Sequence, residues 1–240
     1  MATKIETNPA KILVIDVGGT HVKVLATGQQ ESREFASGST LTAKRMVQQV
    51  KQLTSDWEYG AVSIGYPGPV SHSRPLREPF NLGGGWMGFN FAKAFGCPVK
   101  IVNDAAMQAL GSYRGGCMLF LGLGTGLGSA MIVDGVLEPA ELAHLPYKKR
   151  TYEDYLGLRG LKKLGRKKWK RHVFNATKSL REALQMDYVV LGGGNAKKLD
   201  SEDLPPKSRL GNNRNAFLGG FRLWERKTPA PSPETIEASR

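Results

Sequence analysis

Short apolar runs alternate with glycine-rich turns through most of this chain. Apolar runs rich in β-branched residues are typical of buried strands, and apolar residues at helical spacing are typical of amphipathic helices. The pattern predicts strands at 11–17, 21–26, 61–64, 99–102, 117–121, 130–133 and 188–191. It predicts helices at 40–53, 105–110, 173–184 and from 211 to 224. Several predicted strands end at a stiff or glycine-rich loop, and such loops often line sites.

The first of these turns is Asp16-Val17-Gly18-Gly19-Thr20, after which an extended pattern resumes. Glycines let the main chain approach an anion closely, a threonine hydroxyl adds a donor, and an aspartate at a strand end can hold a hydrated metal ion beside a phosphate. The turn therefore predicts a site for phosphate and Mg²⁺ at the tip of a β-hairpin, with an ordinary β-turn as the alternative. A P-loop is disfavoured because no G-x-x-x-x-G-K-[ST] motif occurs in the chain.

A second strand, glycine turn and strand unit comes later in the chain, with Gly122 to Ser129 as its turn. Two similar hairpins indicate two lobes that face each other across a phosphate chain. A Rossmann fingerprint fits poorly here, because the glycines fall as G-x-G-x-G-x-G and the next segment is strand-like rather than helical. A third glycine turn, Gly192 to Ala196, ends the strand at 188–191.

Three polar side chains, at positions between these turns, are candidates to bind or activate a substrate. Asp104 lies where a strand ends and a helix begins, so its carboxylate can point into a crevice at the sheet edge and take a proton from a substrate hydroxyl. Capping that helix is the alternative role and the more common one for such a position. Glu141 and His144 would share a face if they lie on one helical turn. The aperiodic stretch from Arg74 to Gly96 predicts a surface excursion whose Trp86 lies in the core.

Charge is concentrated in one part of the chain. The net charge of +13 predicts attraction to polyanions. Between Lys148 and His172, eleven lysines and arginines stand against only Glu153 and Asp154. Leucines and Trp169 recur there at roughly helical spacing, which predicts a basic helix or helix pair that either binds an anionic ligand or forms a solvated face.

Composition also limits the classes of protein. The two cysteines lack metal-ligand spacing, which argues against a zinc site or a disulfide framework. The chain has neither the apolar core of a signal peptide nor a run long enough to cross a bilayer, so we expect a cytoplasmic protein without a membrane partner. The sequence also shows no aromatic platform or recognition helix for nucleic acid. The Pro/Ser/Glu-rich stretch 227–240 is expected to be disordered.

Together these residues resemble the ROK group of sugar kinases and, within it, the polyphosphate glucokinases. The resemblance extends from about Lys11 to Trp224. It depends on motifs in the family's order: Asp16 to Thr20, Gly65 to Gly68, Asn81 ahead of Trp86, Asn103 to Ala106, Leu121 to Ser129, Glu141 to His144, Gly192 to Gly194, and Asn212-Asn213.

The resemblance implies an α/β fold of the two-lobed, actin/hexokinase-like (ribonuclease H-like) ATPase type, with the active site in the cleft between the lobes. A smaller N-terminal lobe would comprise residues 1–104 together with a returning C-terminal helix at about 211–226. A larger lobe would comprise residues 105–210, including the basic segment 148–172. Family members are often dimers, so a homodimer is expected.

The resemblance also implies a role for each matching residue. Asp104 would be the general base that takes the proton from the sugar's 6-hydroxyl. The sugar-binding positions would be Gly68, Asn81, Asn103, Asp104, Glu141 and His144. The positions around the phosphoryl donor would be Gly18, Gly19, Thr20, Lys23, Gly124, Thr125, Gly126, Gly193 and Gly194, with Asp16 as the carboxylate near Mg²⁺.

The implied reaction is phosphorylation of glucose by inorganic polyphosphate, by ATP, or by both. The basic segment favours polyphosphate, whereas Gly192 to Gly194 match the loop that approaches adenosine in ATP-using relatives. Two alternatives stay open. One is an ATP-dependent ROK hexokinase acting on glucose, mannose or fructose. The other is a sugar-sensing regulator, although such regulators carry an N-terminal helix-turn-helix, for which a strand beginning near Lys11 leaves no room.

The chain departs from the family pattern in three places. Ala143 stands where the usual Glu-x-Gly-His motif has glycine. The zinc-binding cysteine cluster of most ROK proteins is missing, as it is in the polyphosphate branch, so no zinc is expected. Between Arg150 and Asp187 the resemblance is loose, and the additional sugar-contacting glutamate of zinc-containing ROK kinases has no identified counterpart.

Overall fold

The computed structural model describes residues 11–212 and 214–225. The first half of the chain forms β1 (Ile12–Val17), β2 (His21–Ala26), β3 (Arg33–Ala36), α1 (Ala43–Leu53), β4 (Ala61–Tyr66), β5 (Val70–Ser71), β6 (Arg74–Pro75), α2 (Phe91–Phe95), β7 (Val99–Asn103) and α3 (Asp104–Ser112). The expected disordered stretch 227–240 lies outside the described residues.

The second half forms β8 (Cys117–Leu123), β9 (Leu127–Val133), β10 (Val136–Pro139), β11 (Pro146–Tyr147), β12 (Arg150–Thr151), α4 (Tyr152–Leu156), α5 (Leu158–Ala183), β13 (Tyr188–Gly192), β14 (Ser208–Leu210) and α6 (Asn215–Arg222). Each predicted strand and helix has a counterpart here. The last helix begins at Asn215, a few residues later than predicted. No helix among the described residues is long and apolar enough to cross a membrane.

Of the fourteen strands in the described residues, four form two small two-stranded sheets, β5–β6 and β11–β12, and the other ten form two five-stranded sheets of similar design. The first has the order β3-β2-β1-β4-β7 and the second β10-β9-β8-β13-β14. In each, an antiparallel hairpin, β1–β2 or β8–β9, lies beside strands that run parallel to its first member. The predicted repeat of strand, glycine turn and strand is therefore confirmed. In the second hairpin Gly122 pairs with Gly128 within the ladder, so only the residues between Leu123 and Leu127 form the turn.

Each sheet has its own hydrophobic core. In the first, Trp86 is fully buried, as predicted, and its indole N–H donates a 2.7 Å hydrogen bond to the carbonyl of Gly83. In the second, α5 contributes the fully buried Trp169, whose indole N–H donates a 2.8 Å hydrogen bond to the carbonyl of Leu156. A buried indole with a satisfied N–H anchors its element firmly, so the aperiodic loop and the basic helix both have fixed positions.

Helices α3 and α6 pack so closely that glycine is required at their contact. A Cβ added to Gly111 would collide with the carbonyl of Asn215, and one added to Gly219 would collide with the carbonyl of Met107. Helix α6 also reaches the first sheet, where the Ser63 hydroxyl donates a 2.6 Å hydrogen bond to the carbonyl of Gly220. This close packing fixes α3, and with it the side chains at the start of α3.

Candidate active site

A cavity of about 620 Å³ opens between the ends of the two hairpins. Its walls include most of the site residues that the sequence predicts: Gly18, Gly19, Gly68, Asn81, Asn103, Asp104, Gly124, Thr125, Gly126, Glu141, His144, Gly193 and Gly194. Three predicted residues do not line it: Asp16, Thr20 and Lys23. Asp16 is partly buried at the end of β1, and Lys23, its partner across β1 and β2, lies with its Nζ 3.6 Å from Oε2 of Glu34.

Asn103, rather than Asp104, caps α3. Its Oδ1 accepts hydrogen bonds from the backbone N–H groups of Ala105 (3.0 Å) and Ala106 (3.3 Å), and its Nδ2 donates to the carbonyl of Gly68 at 3.1 Å. Asp104 occupies the first helical position, where one carboxylate oxygen accepts the Ala105 N–H at 2.8 Å. Because Asn103 already satisfies the helix end, the second oxygen of Asp104 is available to a ligand in the cavity.

Two carboxyl groups in this region hold their protons unusually tightly. Burial is the main cause that raises the pKa of Asp104 to about 6, against the lowering effect of the Ala105 N–H. Burial also raises the pKa of Asp16 to about 7, with a further contribution from the charge of Asp104 and an opposing one from Lys23. Two desolvated carboxylates that repel each other would be stabilised as anions by a cation nearby.

The protein side chains here fit an Mg²⁺ ion that would be held mainly by water and substrate phosphates, with few protein ligands. The described residues contain no group of three or more histidine, cysteine or acidic side chains that could hold a metal ion by itself. Mg²⁺ usually keeps several waters and binds through one or two carboxylates plus substrate phosphates. Asp16, beside the glycine turn Gly18-Gly19, offers the carboxylate that such a site requires.

Glu141 and His144 line the cavity, but they do not lie on a helix, so the condition for their sharing a helical face is not met. The segment is a loop, in which the Leu145 N–H donates to the carbonyl of Leu142 at 3.2 Å. Ser129 pins the loop, since its hydroxyl donates to the carbonyl of Ala140 at 2.6 Å and accepts the Leu142 N–H at 3.0 Å. Bonds to β9 thus replace the intrahelical bonds that local spacing suggested.

The structure places one glutamate in the cavity that sequence reasoning did not assign to it. Glu153, on α4, lines the same cavity as Glu141 and His144. Its Oε2 accepts the N–H of Leu127 at 3.2 Å, and a Cβ added to Gly126 would collide with that oxygen. The signal in the sequence is the capping box formed by Thr151 and Asp154, which starts α4 and places Glu153 in its first turn. The surrounding basic run obscured it.

The second glycine turn is held by segments far along the chain. The backbone N–H of Leu158, at the start of α5, lies 3.1 Å from the carbonyl of Gly124 and 3.2 Å from that of Thr125. Asn195 donates from its side chain to the carbonyl of Gly124 at 2.8 Å. The basic helix therefore begins directly at this turn, and the third glycine turn is attached to it as well.

The basic segment is a helix pair, as predicted, but its helices begin at Tyr152 and Leu158, with a kink at Gly165 (φ 73°) inside α5. Three of its cations form ion pairs: Arg159 with Asp154, Arg166 with Asp200, and Lys170 with Asp200 and Asp203. The others are exposed and have no ion pair with any described residue: Lys148, Lys149, Arg150, Lys162, Lys163, Lys167, Lys168 and Arg171.

Comparison with known proteins identifies the family. The sequence model of the ROK family matches residues 12–139, which is more than half of the chain. The chain belongs to the ROK family. It is 27% identical over 212 residues to a polyphosphate glucokinase of Mycobacterium tuberculosis, an alignment that covers 78% of each chain.

Two solved structures share the ROK fold of this protein. An inorganic polyphosphate/ATP-glucomannokinase from Arthrobacter sp. strain KM superposes with a TM-score of 0.75 and 22% identity, covering 91% of this chain and 98% of the other. A ROK family glucokinase from Streptomyces griseus, in complex with glucose and AMPPNP, superposes with a TM-score of 0.68 and 17% identity. The match covers 89% of this chain and 99% of the other. The actin/hexokinase-like fold expected from the sequence is confirmed.

Proposed function

We propose that this ROK protein is a sugar kinase that transfers a phosphoryl group from inorganic polyphosphate, and secondarily from ATP, to the 6-hydroxyl of glucose. The observation that carries the proposal is the partly buried carboxylate of Asp104, which lines one cavity together with both glycine hairpins. The similarity to proteins named polyphosphate glucokinase supports the choice of glucose and polyphosphate.

Asp104 is the proposed general base. With its pKa raised to about 6, its carboxylate is ionised at neutral pH yet basic enough to accept the proton of an attacking hydroxyl. Asn103 orients it, because the cap and the bond to the Gly68 carbonyl fix the end of β7. Phosphoryl transfer demands positioning and charge stabilisation more than covalent chemistry, so one base between two amide-rich turns is a sufficient catalytic set.

The sugar is assigned to the end of the cavity where the backbone of Gly68 lies beside polar side chains from both lobes: Asn81, Asn103, Asp104, Glu141, His144 and Glu153. Glu153 fits the role of the additional sugar-contacting glutamate, since one of its oxygens is fixed by Leu127 and the other has no hydrogen bond among the described residues. Buried polar groups that pair with hydroxyls reject analogues lacking those hydroxyls.

The donor is assigned to the glycine turns, Gly18 to Thr20 on one side and Gly124 to Gly126 on the other, with Gly193 and Gly194 beyond. Mg²⁺, held by Asp16 and the donor, would neutralise phosphate charge during transfer. Polyphosphate is the preferred donor because α5 begins at the second turn, and exposed lysines follow one another along this helix. A long polyanion gains from a row of cations that a nucleotide does not reach.

ATP is the second donor because of a smaller cavity behind the third glycine turn. It measures about 280 Å³ and shares Gly193 with the main cavity; the rest of its lining is Ala196, Lys197, Leu210, Gly211 and Asn212. A cavity that shares a lining residue of the third glycine turn with the main cavity has a position suited to a nucleoside.

The deciding experiment is a matrix of donors and sugars. Purified protein with Mg²⁺ is offered glucose, mannose or fructose, each with polyphosphate or ATP, and sugar phosphate is measured. We expect the highest rate with glucose and polyphosphate, and a steeper loss of polyphosphate activity than of ATP activity with added salt. Activity with ATP alone would exclude the preferred donor. Sugar binding without turnover by any donor would favour the sugar-sensing alternative.

A further inference from the structure

Helix α3 presents a different set of residues to each of its neighbours. Met107 packs into the cluster beneath α6, and Ala105 and Ala109 pack against the second sheet. Asp104 and Gln108, four residues apart and therefore on one side of the helix, both line the main cavity. The mechanism proposed above uses Asp104 and leaves Gln108 without a role.

Gln108 lies toward the donor end of the cavity. It is one helical turn beyond Asp104, a rise of about 6 Å. A Cβ added to Gly192 would collide with the ring of Phe120 and would lie 3.4 Å from Oε1 of Gln108, so the carboxamide lies close to the backbone at the end of β13. Gly192 ends β13, the strand that leads into the third glycine turn. Gly122 lies near the end of β8, the strand that leads into the second.

The carboxamide of Gln108 has hydrogen-bonding capacity that the protein does not use. Its side chain makes no hydrogen bond to another described residue. Because no buried side-chain N or O atom among the described residues lacks a partner, the amide of this partly buried residue is open to the cavity and not sealed in the core. A primary amide offers two N–H donors and carries no charge. Such a group suits the oxygens of a phosphate chain, which are strong acceptors, and it does so without adding a cation that would compete with Mg²⁺.

We propose that Gln108 is a donor-binding residue whose side-chain amide donates a hydrogen bond to a phosphate oxygen on the side of the donor remote from the transferred group. This inference rests on the proposed kinase function and deepens it, because it adds a contact outside the two glycine turns. Gln108 then contributes to donor affinity and not to the acceptance of the sugar's proton.

The test compares two substitutions at one position. Gln108→Glu keeps the shape and replaces a donor by a negative charge, whereas Gln108→Ala removes the side chain. Calorimetry with Mg²⁺ and tripolyphosphate, and separately with glucose, measures each Kd without requiring turnover. We expect Gln108→Ala to weaken tripolyphosphate binding about tenfold, since a hydrogen bond to a charged group is lost. Gln108→Glu should weaken it more, with the glucose Kd unchanged within about twofold.

A matched control separates the local effect from net charge. Gln52 is exposed on α1, away from the cavity, and Gln52→Glu makes the same change in charge. It should leave both Kd values unchanged. If Gln108→Glu binds tripolyphosphate as well as the unaltered protein does, the inference is wrong while the kinase proposal stands. If both ligands weaken equally, Gln108 only supports α3 and the inference is again wrong. If the unaltered protein binds neither tripolyphosphate nor ATP, the proposed function itself fails.

Discussion

The two glycine hairpins of the cleft have one topology but are held in place differently. The first turn is held by its own neighbourhood: the N–H of Gly18 donates to the carbonyl of His21 at 3.0 Å, and the Ser37 hydroxyl, just after β3, donates to the carbonyl of Gly18 at 2.7 Å. The second turn is held by Leu158 and Asn195, which lie far along the chain. The first hairpin is locally self-sufficient, and the second depends on long-range contacts.

The hairpins also differ in charge. The first brings Asp16 close enough to Asp104 for the charge of Asp104 to add to the burial that raises the pKa of Asp16. The second is bonded to Leu158 at the start of α5, the helix that carries the exposed lysines. We call the side of the cavity near Asp16 and Asp104 the acidic wall, and the side at the start of α5 the basic wall. In the proposed function the donor lies between both turns, the basic wall attracts the polyanion and the acidic wall supplies the base. The segments attached to the two hairpins, rather than the hairpins themselves, produce this difference in charge.

The largest effect is expected at the acidic wall, from Asp104→Asn. Loss of a general base lowers kcat by about 10²- to 10⁴-fold, and sugar binding should survive because the amide keeps the shape of the side chain. Turnover and calorimetric sugar binding are measured together. Asp104→Asn should also raise the melting temperature slightly, because a buried charge is removed, which shows that the variant is folded. Turnover within tenfold of the unaltered enzyme would contradict the assignment.

The next largest effect is expected at the second hairpin, where Glu153 lies against Gly126 and is proposed to contact glucose. Glu153→Ala removes a cavity carboxylate, and Gly126→Ala forces it aside because the added methyl collides with it. Each should weaken glucose binding about tenfold or more, since hydrogen bonds from hydroxyls to a charged group are lost. The double variant should be no worse than Glu153→Ala alone, because both changes act through one side chain. Additive losses would show that Gly126 acts independently of Glu153.

The pH dependence of kcat/KM tests the environment assigned to Asp104 on the acidic wall. Asp104 must be ionised to accept a proton, and its pKa is about 6. The value of kcat/KM for the sugar should therefore fall about tenfold per pH unit below pH 6 and level off above it. An aspartate with the ordinary value near 4 would keep the rate constant down to about pH 4. A profile flat to pH 5 would contradict the assigned environment.

Stability offers an independent test of Asp16. Its pKa is 3.8 in the unfolded chain and about 7 in the folded one, so the folded protein binds the proton more tightly and the free energy of unfolding falls as pH rises through that window. Asp16→Asn should raise the free energy of unfolding at pH 8 by about 1–2 kcal/mol. This increase is smaller than the full pKa shift implies, because the carboxylate is partly hydrated. The substitution should have no effect below about pH 4. Denaturant titrations at both pH values measure this difference. Destabilisation at pH 8 would contradict it.

Sequence patterns predicted the strands and the turn of the first hairpin, although Asp16, Thr20 and Lys23 do not line the cavity, and they predicted the second hairpin with a turn that is too long. The turn at Gly18 and the position of Asp104 follow from strand ends and glycines, which are local signals. Glu153 was missed because its role depends on a contact with Leu127, which no local period reveals. The contact of Gly219 with Met107 was missed for the same reason. Glu141 and His144 were assigned a helical spacing, but bonds from Ser129 hold them in a loop.

The smallest effect concerns the basic wall, where single exposed charges contribute little. Lys162 lies one turn after Leu158, which bonds to the second glycine turn, whereas Lys178 lies sixteen residues further along the chain, beyond the kink at Gly165. Lys162→Glu should raise the KM for polyphosphate about two- to threefold and leave that for ATP unchanged, and added salt should erase the difference. Lys178→Glu, with the same change in net charge, should alter neither KM. If both variants raise the KM for polyphosphate equally, the polymer senses only the overall charge of the protein, and α5 has no directional role in guiding it to the turn.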